Sequence, residues 1–470
     1  MSNDHGSSSL LSFDAAVIGG GSAGYAAART LAAAGKRVAV LEGGREVGGL
    51  CILRGCMPTK AMLYAAEIAH LARQSATWGV TVPEVGIAFP ELMRRKDAMI
   101  TDFAGYRAGQ LQDGRFTFLR HQARFVGPKT LQLDDGRQLN ADHVIIATGS
   151  QTTPPSLPGL AETGYLTSDQ AVHLAAAPRS LILLGGGAVA CEFAQFFARI
   201  GTRVTQIQRG AHLLRGSDPD AAAVVERVFR REGIELHTDT RLTGAGRDAT
   251  GKWVEFESKA EARVVRVHAE EIMLALGRLP NTGSLDLNAA GIRTDSGRIV
   301  TDARMETSVP GVYAAGDCTG PHEIVHIAIQ QGESAAHHIL HPEQPRPLDY
   351  RLLLSVVFTD PQWAQVGLTE SEARRQGRPV RVASYPFADH GRSMIMDAMD
   401  GFVKLLADPI TGEILGGTCV GPHAGELIHE VVVAMANRMT AAALAAVPHY
   451  HPTLAEIWTY PAEELASPPS

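Results

Sequence analysis

The chain has 470 residues, 45% of them hydrophobic and 20% charged, with a formal net charge of -7. That length exceeds what one hydrophobic core organises, so about two to four domains are expected. The acidic balance, with no basic stripe, argues against a nucleic-acid partner, and no apolar run is long enough to span a bilayer.

The opening "MSNDHGSSSLLSF" lacks the basic and apolar regions of a signal peptide, so a cytoplasmic, reducing compartment is expected. Next, "FDAAVIGGGSAGYAAARTLAAAGKRVAVLEGG" predicts an apolar strand, a glycine turn, an Ala-rich helix and a second apolar strand. That is a βαβ unit. Gly19, Gly21 and Gly24 fit G-x-G-x-x-G directly after the strand. The first glycine allows the tight turn, the second lets backbone approach a pyrophosphate, and the third lets helix pack on strand. The helix N-terminus stabilises phosphate charge. Glu42 ends the second strand, near the ~20-residue offset at which an acid grips a ribose 2′-OH.

"GGLCILRGCMPTK", Gly48 to Lys60, holds two of the chain's five cysteines, Cys51 and Cys56. In a reducing compartment, close cysteines read as catalytic or metal-binding rather than as a staple. A zinc site needs four ligands, and Cys191, Cys318 and Cys419 are singletons far apart in sequence. A redox disulfide and a pair of inert buried thiols both remain. Residues 60–75 and 90–112 carry apolar residues at helical spacing. Short strands alternate with turns from 115 to 150, and the Pro-rich "TTPPSLPG" is a linker.

The first pattern then recurs in "RSLILLGGGAVACEFAQFFARIGTRVTQIQRG", with Gly185, Gly187 and Ala190 in the glycine positions. Alanine is an accepted variant at the third. Gln208 stands where the acid would sit, followed by Arg209. An acid there repels a 2′-phosphate and an arginine pairs with one. NADP is therefore expected ahead of NAD, with Arg209 and Arg215 as phosphate partners or, alternatively, as solvated surface residues. "HPEQPRP" links to a last part, from about residue 350, that mixes strands with the helical "AGELIHEVVVAMAN" and reads as an α+β domain. Two dinucleotide units suggest a flavin and a nicotinamide exchanging electrons, and a close cysteine pair beside the first suggests a redox disulfide.

These segments together resemble the class I flavoprotein disulfide reductases, the family of dihydrolipoamide dehydrogenase, glutathione reductase and mercuric reductase. The likeness covers essentially the whole chain. It rests on "GGGSAG" with Glu42, "GGLCILRGCMPTK", "IIATGS", "TSVPGVYAAGDCTG", "FTDPQWAQVGLTE", "GPHAGELIHE" and "HYHPTLAEIW". It implies an α/β fold with two Rossmann-like domains and a C-terminal α+β interface domain. The implied boundaries are 12–150 with 280–345 for FAD, 151–279 for NAD(P), and 346–470 for dimerisation. FAD would be held by Gly19, Gly21, Gly24, Glu42, Gly49, Thr148, Gly149 and Asp317. NADP or NAD would be held by Gly185, Gly187, Ala190, Gln208, Arg209, Arg215 and Gly277. No metal is expected.

The resemblance also implies roles. Cys56 would face the flavin as the charge-transfer thiolate, and Cys51 would attack the substrate disulfide. Lys60 would lie near the flavin N5 and pair with Glu192. His451, oriented by Glu456, would be the acid/base, reaching the partner's disulfide in a homodimer. The chemistry agrees: exchange needs a thiolate nucleophile and a stabilised leaving thiolate. An imidazolium lowers a thiol's pKa and returns its proton, histidine titrates near neutrality, and a carboxylate fixes its tautomer. Pro452 is expected to begin a helix carrying Glu456 one turn on, and the His451–Pro452 bond is expected to be cis. His449 does not match the catalytic position.

Departures from the family pattern are also legible. Leu53 and Arg54 occupy the centre of the cysteine segment; Arg54 either adds a cation beside the thiols or points to solvent. Ala188 and Val189 leave out an aromatic nicotinamide gate. The Gln208–Arg209 end looks more like mercuric reductase, but "AEELASPPS" has no cysteine pair, which disfavours metal-ion reduction. The expected function is an FAD-dependent disulfide oxidoreductase acting on a small disulfide or dithiol such as a lipoyl group. The alternatives are NADPH-dependent reduction of a quinone, a metal ion or oxygen from the flavin, and a non-enzymatic FAD-binding redox sensor.

Overall fold

The computed structural model describes residues 10–467. Most of the segment read for a signal peptide, residues 1–9, and the last three residues of the expected interface domain lie outside the described residues. The chain divides into two compact units. The first runs to Pro58 and adds Arg94–Thr153 and Gly277–Leu348; the second comprises Thr59–Met93, Pro154–Leu276 and the chain from Asp349 onward. Residues 59–93, which the sequence reading gives to the FAD domain, pack with the second unit.

The first unit is built on strand β1 (Leu11–Ile18), helix α1 (Ser22–Ala33) and strand β2 (Val38–Leu41). Ala15–Ile18 lies parallel to Val38–Leu41 on one side and to His143–Ile146 on the other. Both faces of such a sheet are covered, so its strands read as unbroken apolar runs rather than as alternating ones. Helix α2 (Gly49–Leu53) and helix α3 (Cys56–Gln74) follow, then helix α4 (Phe89–Gln112) and β3 (Thr117–Leu119). The antiparallel strands β4 (Ala123–Gly127), β5 (Thr130–Leu133) and β6 (Gln138–Ile146) complete the sheet order β3-β2-β1-β6-β5-β4, with Val312–Ala314 added parallel to β6. Helix Val325–Leu340 lies on α1, and a Cβ at its Gly332 would stand 2.3 Å from the Ala23 carbonyl oxygen. Leu31 and Leu41 are wholly buried in this layer, each worth roughly 1.5–3 kcal/mol of burial.

The second unit repeats the device with β7 (Ser180–Leu184), α5 (Ala188–Arg199) and β8 (Arg203–Ile207) in a parallel five-stranded sheet. It adds two antiparallel sheets: the first went unread in the sequence, and three strands of the second fall where the sequence reading put strands. One is the three-stranded sheet of Thr240–Asp248, Gly251–Ser258 and Arg263–Ala269. The other has five strands, in the order 354–357, 362–367, 414–421, 402–407 and 381–386, with helix α6 (Ala424–Ala436) packed on it. The mixed α/β class with an α+β C-terminal part is the one the sequence predicts. Among the described residues no helix is long and apolar enough to cross a membrane.

Candidate active site

At the first glycine turn, Gly19 has φ +106°, and a Cβ there would lie 2.3 Å from the Ala147 carbonyl oxygen. A Cβ at Gly24 would lie 1.9 Å from the Gly19 carbonyl oxygen. Only glycine fits either position. The Glu42 carboxylate accepts from the Gly20 N–H at 3.0 Å and the Gly44 N–H at 2.8 Å, so it is fixed across the turn. Thr148 and Gly149 follow β6; Gly149 takes φ +71°. The Thr148 Oγ1 is buried without a hydrogen-bond partner among the described residues. Asp317 accepts from Ser150 Oγ at 2.7 Å, and that hydroxyl accepts from Arg278 Nε at 2.8 Å. Close-approach glycines and an orphaned buried hydroxyl are what a polar ligand with a pyrophosphate would complete. The residues present therefore fit a bound dinucleotide. Sequence reasoning missed Ser150 and Arg278; Ser150 directly follows the "IIATG" turn and was the one signal for them.

The cysteine segment lies against this turn. Gly49 has φ +74°, and its Cβ would stand 2.8 Å from the Gly21 Cα. Cys51 is half-buried on the short helix α2, and Cys56, exposed, opens α3. Pro58 is tolerated because it sits in the first helical turn. Between the cysteines the chain doubles back so tightly that a Cβ at Gly55 would meet the Cys51 Cα at 3.2 Å. Arg54 donates to the Glu46 carboxylate, so its charge is paired rather than presented bare to either sulfur. Burial pushes the Cys191 thiol up to about 12 and that of Cys318 to about 11, and raises Cys419 still further. All three are wholly enclosed, leaving Cys51 and Cys56 as the accessible pair. Among the described residues no cluster of histidine, cysteine and carboxylate side chains could hold a metal ion.

Lys60, one turn into α3, holds both oxygens of Glu192, at 2.8 and 2.7 Å. Glu192 is 5% exposed on α5 and also accepts from the Phe358 N–H at 3.1 Å. The Lys60 ammonium lies 4.7 Å from the centre of the Phe358 ring, a cation–π contact. Beside the pair, Thr59, Met62, Leu63, Phe193 and Phe196 line a small apolar cavity. At the second glycine turn Gly185 has φ +129°, and a Cβ would lie 2.3 Å from the Ala275 carbonyl oxygen. At Gly187 a Cβ would meet nothing within 4 Å, and Ala190 is wholly buried beneath. This turn too leaves backbone open to a pyrophosphate. Gln208 donates to the His212 carbonyl at 3.2 Å and accepts from the Arg209 N–H at 3.1 Å. Arg209 and Arg215 are exposed, and neither guanidinium has an ion-pair partner among the described residues. Gly277, at φ +117°, lies in the first unit, where its carbonyl accepts from the Thr153 N–H.

His451 and Glu456 meet: Nδ1 lies 3.0 Å from Oε2, with the histidine side chain 76% exposed and the carboxylate 10% exposed. Pro452 does not begin a helix. The chain runs irregularly to a 3₁₀ turn at Ala455–Trp458, and the carboxylate reaches back from there. The His451–Pro452 bond is cis, as expected. His449 is spent on Glu430, at 2.6 Å, and on the Val447 carbonyl.

Two dinucleotide-type glycine turns, and an accessible cysteine pair in the segment packed on the first, define the class of a dinucleotide-dependent disulfide oxidoreductase. Residues 13–332 match the pyridine nucleotide-disulphide oxidoreductase family model, and residues 353–462 match that family's dimerisation domain. The chain is 36% identical to the dihydrolipoyl dehydrogenase of Thermus scotoductus over 97% of this chain and 98% of that protein. It is 33% identical to the Chlamydia trachomatis dihydrolipoyl dehydrogenase over 95% of each. The HOCl-induced flavoprotein disulfide reductase RclA from Escherichia coli superposes with a TM-score of 0.85 at 27% identity, over 96% of this chain and 99% of that one. The chain belongs to the pyridine nucleotide-disulphide oxidoreductases. It is an FAD-dependent enzyme that uses NAD(P) and acts on sulfur groups.

Proposed function

We propose that the enzyme exchanges electrons between NAD(P)H and a small disulfide or dithiol of the lipoyl type, with Cys51 and Cys56 as the relay. The observation that carries this reading is the packing of the cysteine segment on the first glycine turn, Gly49 against Gly21. The 33% and 36% identity to dihydrolipoyl dehydrogenases over nearly the whole chain supports the substrate class. FAD, when bound, would supply the two-electron carrier between the nicotinamide and the cysteine pair. Gly19, Gly21, Gly24, Glu42, Gly49, Thr148, Gly149 and Asp317 would hold it, and Lys60, set by Glu192, would place an ammonium at its edge. Residues 12–150 with 280–345, 151–279 and 346–470 would form the FAD, nicotinamide and interface domains.

In the reducing direction the Cys51 thiolate attacks the substrate disulfide. A Cys51–sulfur bond forms, the substrate S–S bond breaks, and the departing thiolate takes a proton from His451. The Cys56 thiol then passes its proton to His451 and attacks Cys51; the Cys51–Cys56 disulfide closes, and the second substrate thiolate leaves and takes that proton. The substrate disulfide has gained two electrons from the cysteine pair and two protons, one from the histidinium formed with the Cys51 thiolate and one from the Cys56 thiol. His451 suits the proton transfers because Glu456 holds its Nδ1, leaving Nε2 for sulfur. Its exposure supports a role on the partner subunit's disulfide in a homodimer. Gln208 and the unpaired Arg209 and Arg215 support NADP over NAD. In the test, Cys51→Ser abolishes lipoamide reduction while the variant retains NAD(P)H-dependent quinone reduction. Persistence of lipoamide turnover in that variant would overturn the reading.

A further inference from the structure

Glu456 faces two histidines. Its Oε2 meets the exposed His451, and its Oε1 lies 3.4 Å from Nε2 of His390, whose side chain is 0% exposed. Sequence reasoning passed over His390, which stands 66 positions before Glu456 in a loop with no motif of its own. The His390 Nδ1 lies 2.8 Å from Ser393 Oγ. Its Nε2 is buried with no well-aligned hydrogen bond among the described residues, and Glu456 Oε1 is the carboxylate it faces. A buried ring nitrogen beside a carboxylate is satisfied only as a donor. The serine hydroxyl therefore donates to Nδ1, and Nε2 carries the proton. The remaining surroundings are aromatic or backbone: Phe387 and Tyr460 meet the ring edge-on, both with centroids at 6.4 Å, and the Thr453 backbone lies alongside. Tyr460 is itself stacked on Tyr385 at 4.0 Å. The ionisable groups facing His390 are thus Glu456, Tyr460 and, across Glu456, His451.

We propose that His390 is a positioning residue for the His451–Glu456 pair: it anchors the second carboxylate oxygen and sets the basicity of His451. This rests on the acid/base role assigned above to His451. An N–H facing Oε1 at 3.4 Å opposes rotation of the carboxylate away from His451 Nδ1. Donation to Oε1 also draws charge from Oε2, so His451 gives up its proton more readily than it would beside an unshared carboxylate. Burial lowers the pKa of His390 against the opposing pull of Glu456, which favours the neutral, donating ring.

The experiment uses the FAD-loaded homodimer and follows the pH profile of dithiol oxidation in His390→Leu and His390→Gln, with His451→Gln as the reference. His390→Leu removes the donor; the amide of His390→Gln restores one. The limb of the profile that reports His451 shifts to higher pH, by about half to one unit, in His390→Leu and returns toward wild type in His390→Gln. Flavin content and NAD(P)H-to-quinone turnover, which bypass the histidine, stay within about twofold in both. If the two variants lose activity equally with an unmoved limb, His390 is a packing residue only and the proposal fails. If His451→Gln leaves dithiol oxidation intact, the acid/base reading itself fails, a result distinct from an unmoved limb. Should His390→Leu lose its flavin, His390→Gln against wild type carries the test, and a shift there beyond about one unit contradicts donation as the mechanism.

Discussion

The two glycine turns share one backbone course and differ in their side chains, most of all at the end of the second strand. Gly19 and Gly185 both take positive φ and both crowd the carbonyl oxygen of a neighbouring strand end, Ala147 and Ala275. Past the second strand, however, Glu42 presents a carboxylate fixed by two backbone amides, whereas Gln208 turns a neutral amide onto its own loop with two unpaired arginines following. The backbone cradle is common to both turns, and the selectivity proposed above rests on the strand-end residue and its charge.

Substitutions graded by effect test that contrast. The largest loss is expected at Gly19→Ala, where both φ and the Ala147 oxygen exclude a Cβ. Flavin retention should fall at least tenfold, read by absorbance after gel filtration, with several kcal/mol of strain behind it. Gly187→Ala, into open space, should fold and keep its flavin while losing about tenfold in nicotinamide affinity. Equal damage from the two would break the claim that the second glycine serves the ligand rather than the fold. Lys60→Met leaves Glu192 buried with only the Phe358 N–H, and should cost roughly 1–3 kcal/mol in thermal unfolding. Gln208→Glu should weaken NADPH binding about tenfold and leave NADH nearly unchanged; Arg209→Ala should show the same sign at a few-fold, because an exposed charge is screened. Smallest in consequence is the reactivity of the other thiols. With Cys191 at about 12 and Cys318 at about 11, both remain protonated at pH 8. After reduction, an alkylating reagent should count two thiols in the native enzyme and five only once it is unfolded.

What the sequence revealed follows from what each feature needs. The glycine turns, the cysteine segment and His451 with Glu456 were legible because their partners lie close along the chain or at a fixed motif spacing. The Lys60–Glu192 pair, 132 positions apart, was reached only through family likeness. His390, Ser150 and Arg278 were missed because their roles arise where distant segments meet, with no periodicity to mark them. The three-stranded sheet at 240–269 was missed for a different reason: its strands are half-exposed and rich in charge, without the apolar runs that marked the parallel sheets. Pro452 misled in the opposite sense. Its sequence context suggested a helix start, but the carboxylate is delivered by a later 3₁₀ turn.

The central claim is that Cys51 and Cys56 lie in the electron path. Anaerobic titration of the purified enzyme with NADPH, and separately with NADH, followed by absorbance, tests it most directly. The account predicts a long-wavelength band after two electrons, lost in Cys56→Ser and reached at lower NADPH than NADH. Bleaching of the flavin without that band, unchanged by Cys56→Ser, would contradict it.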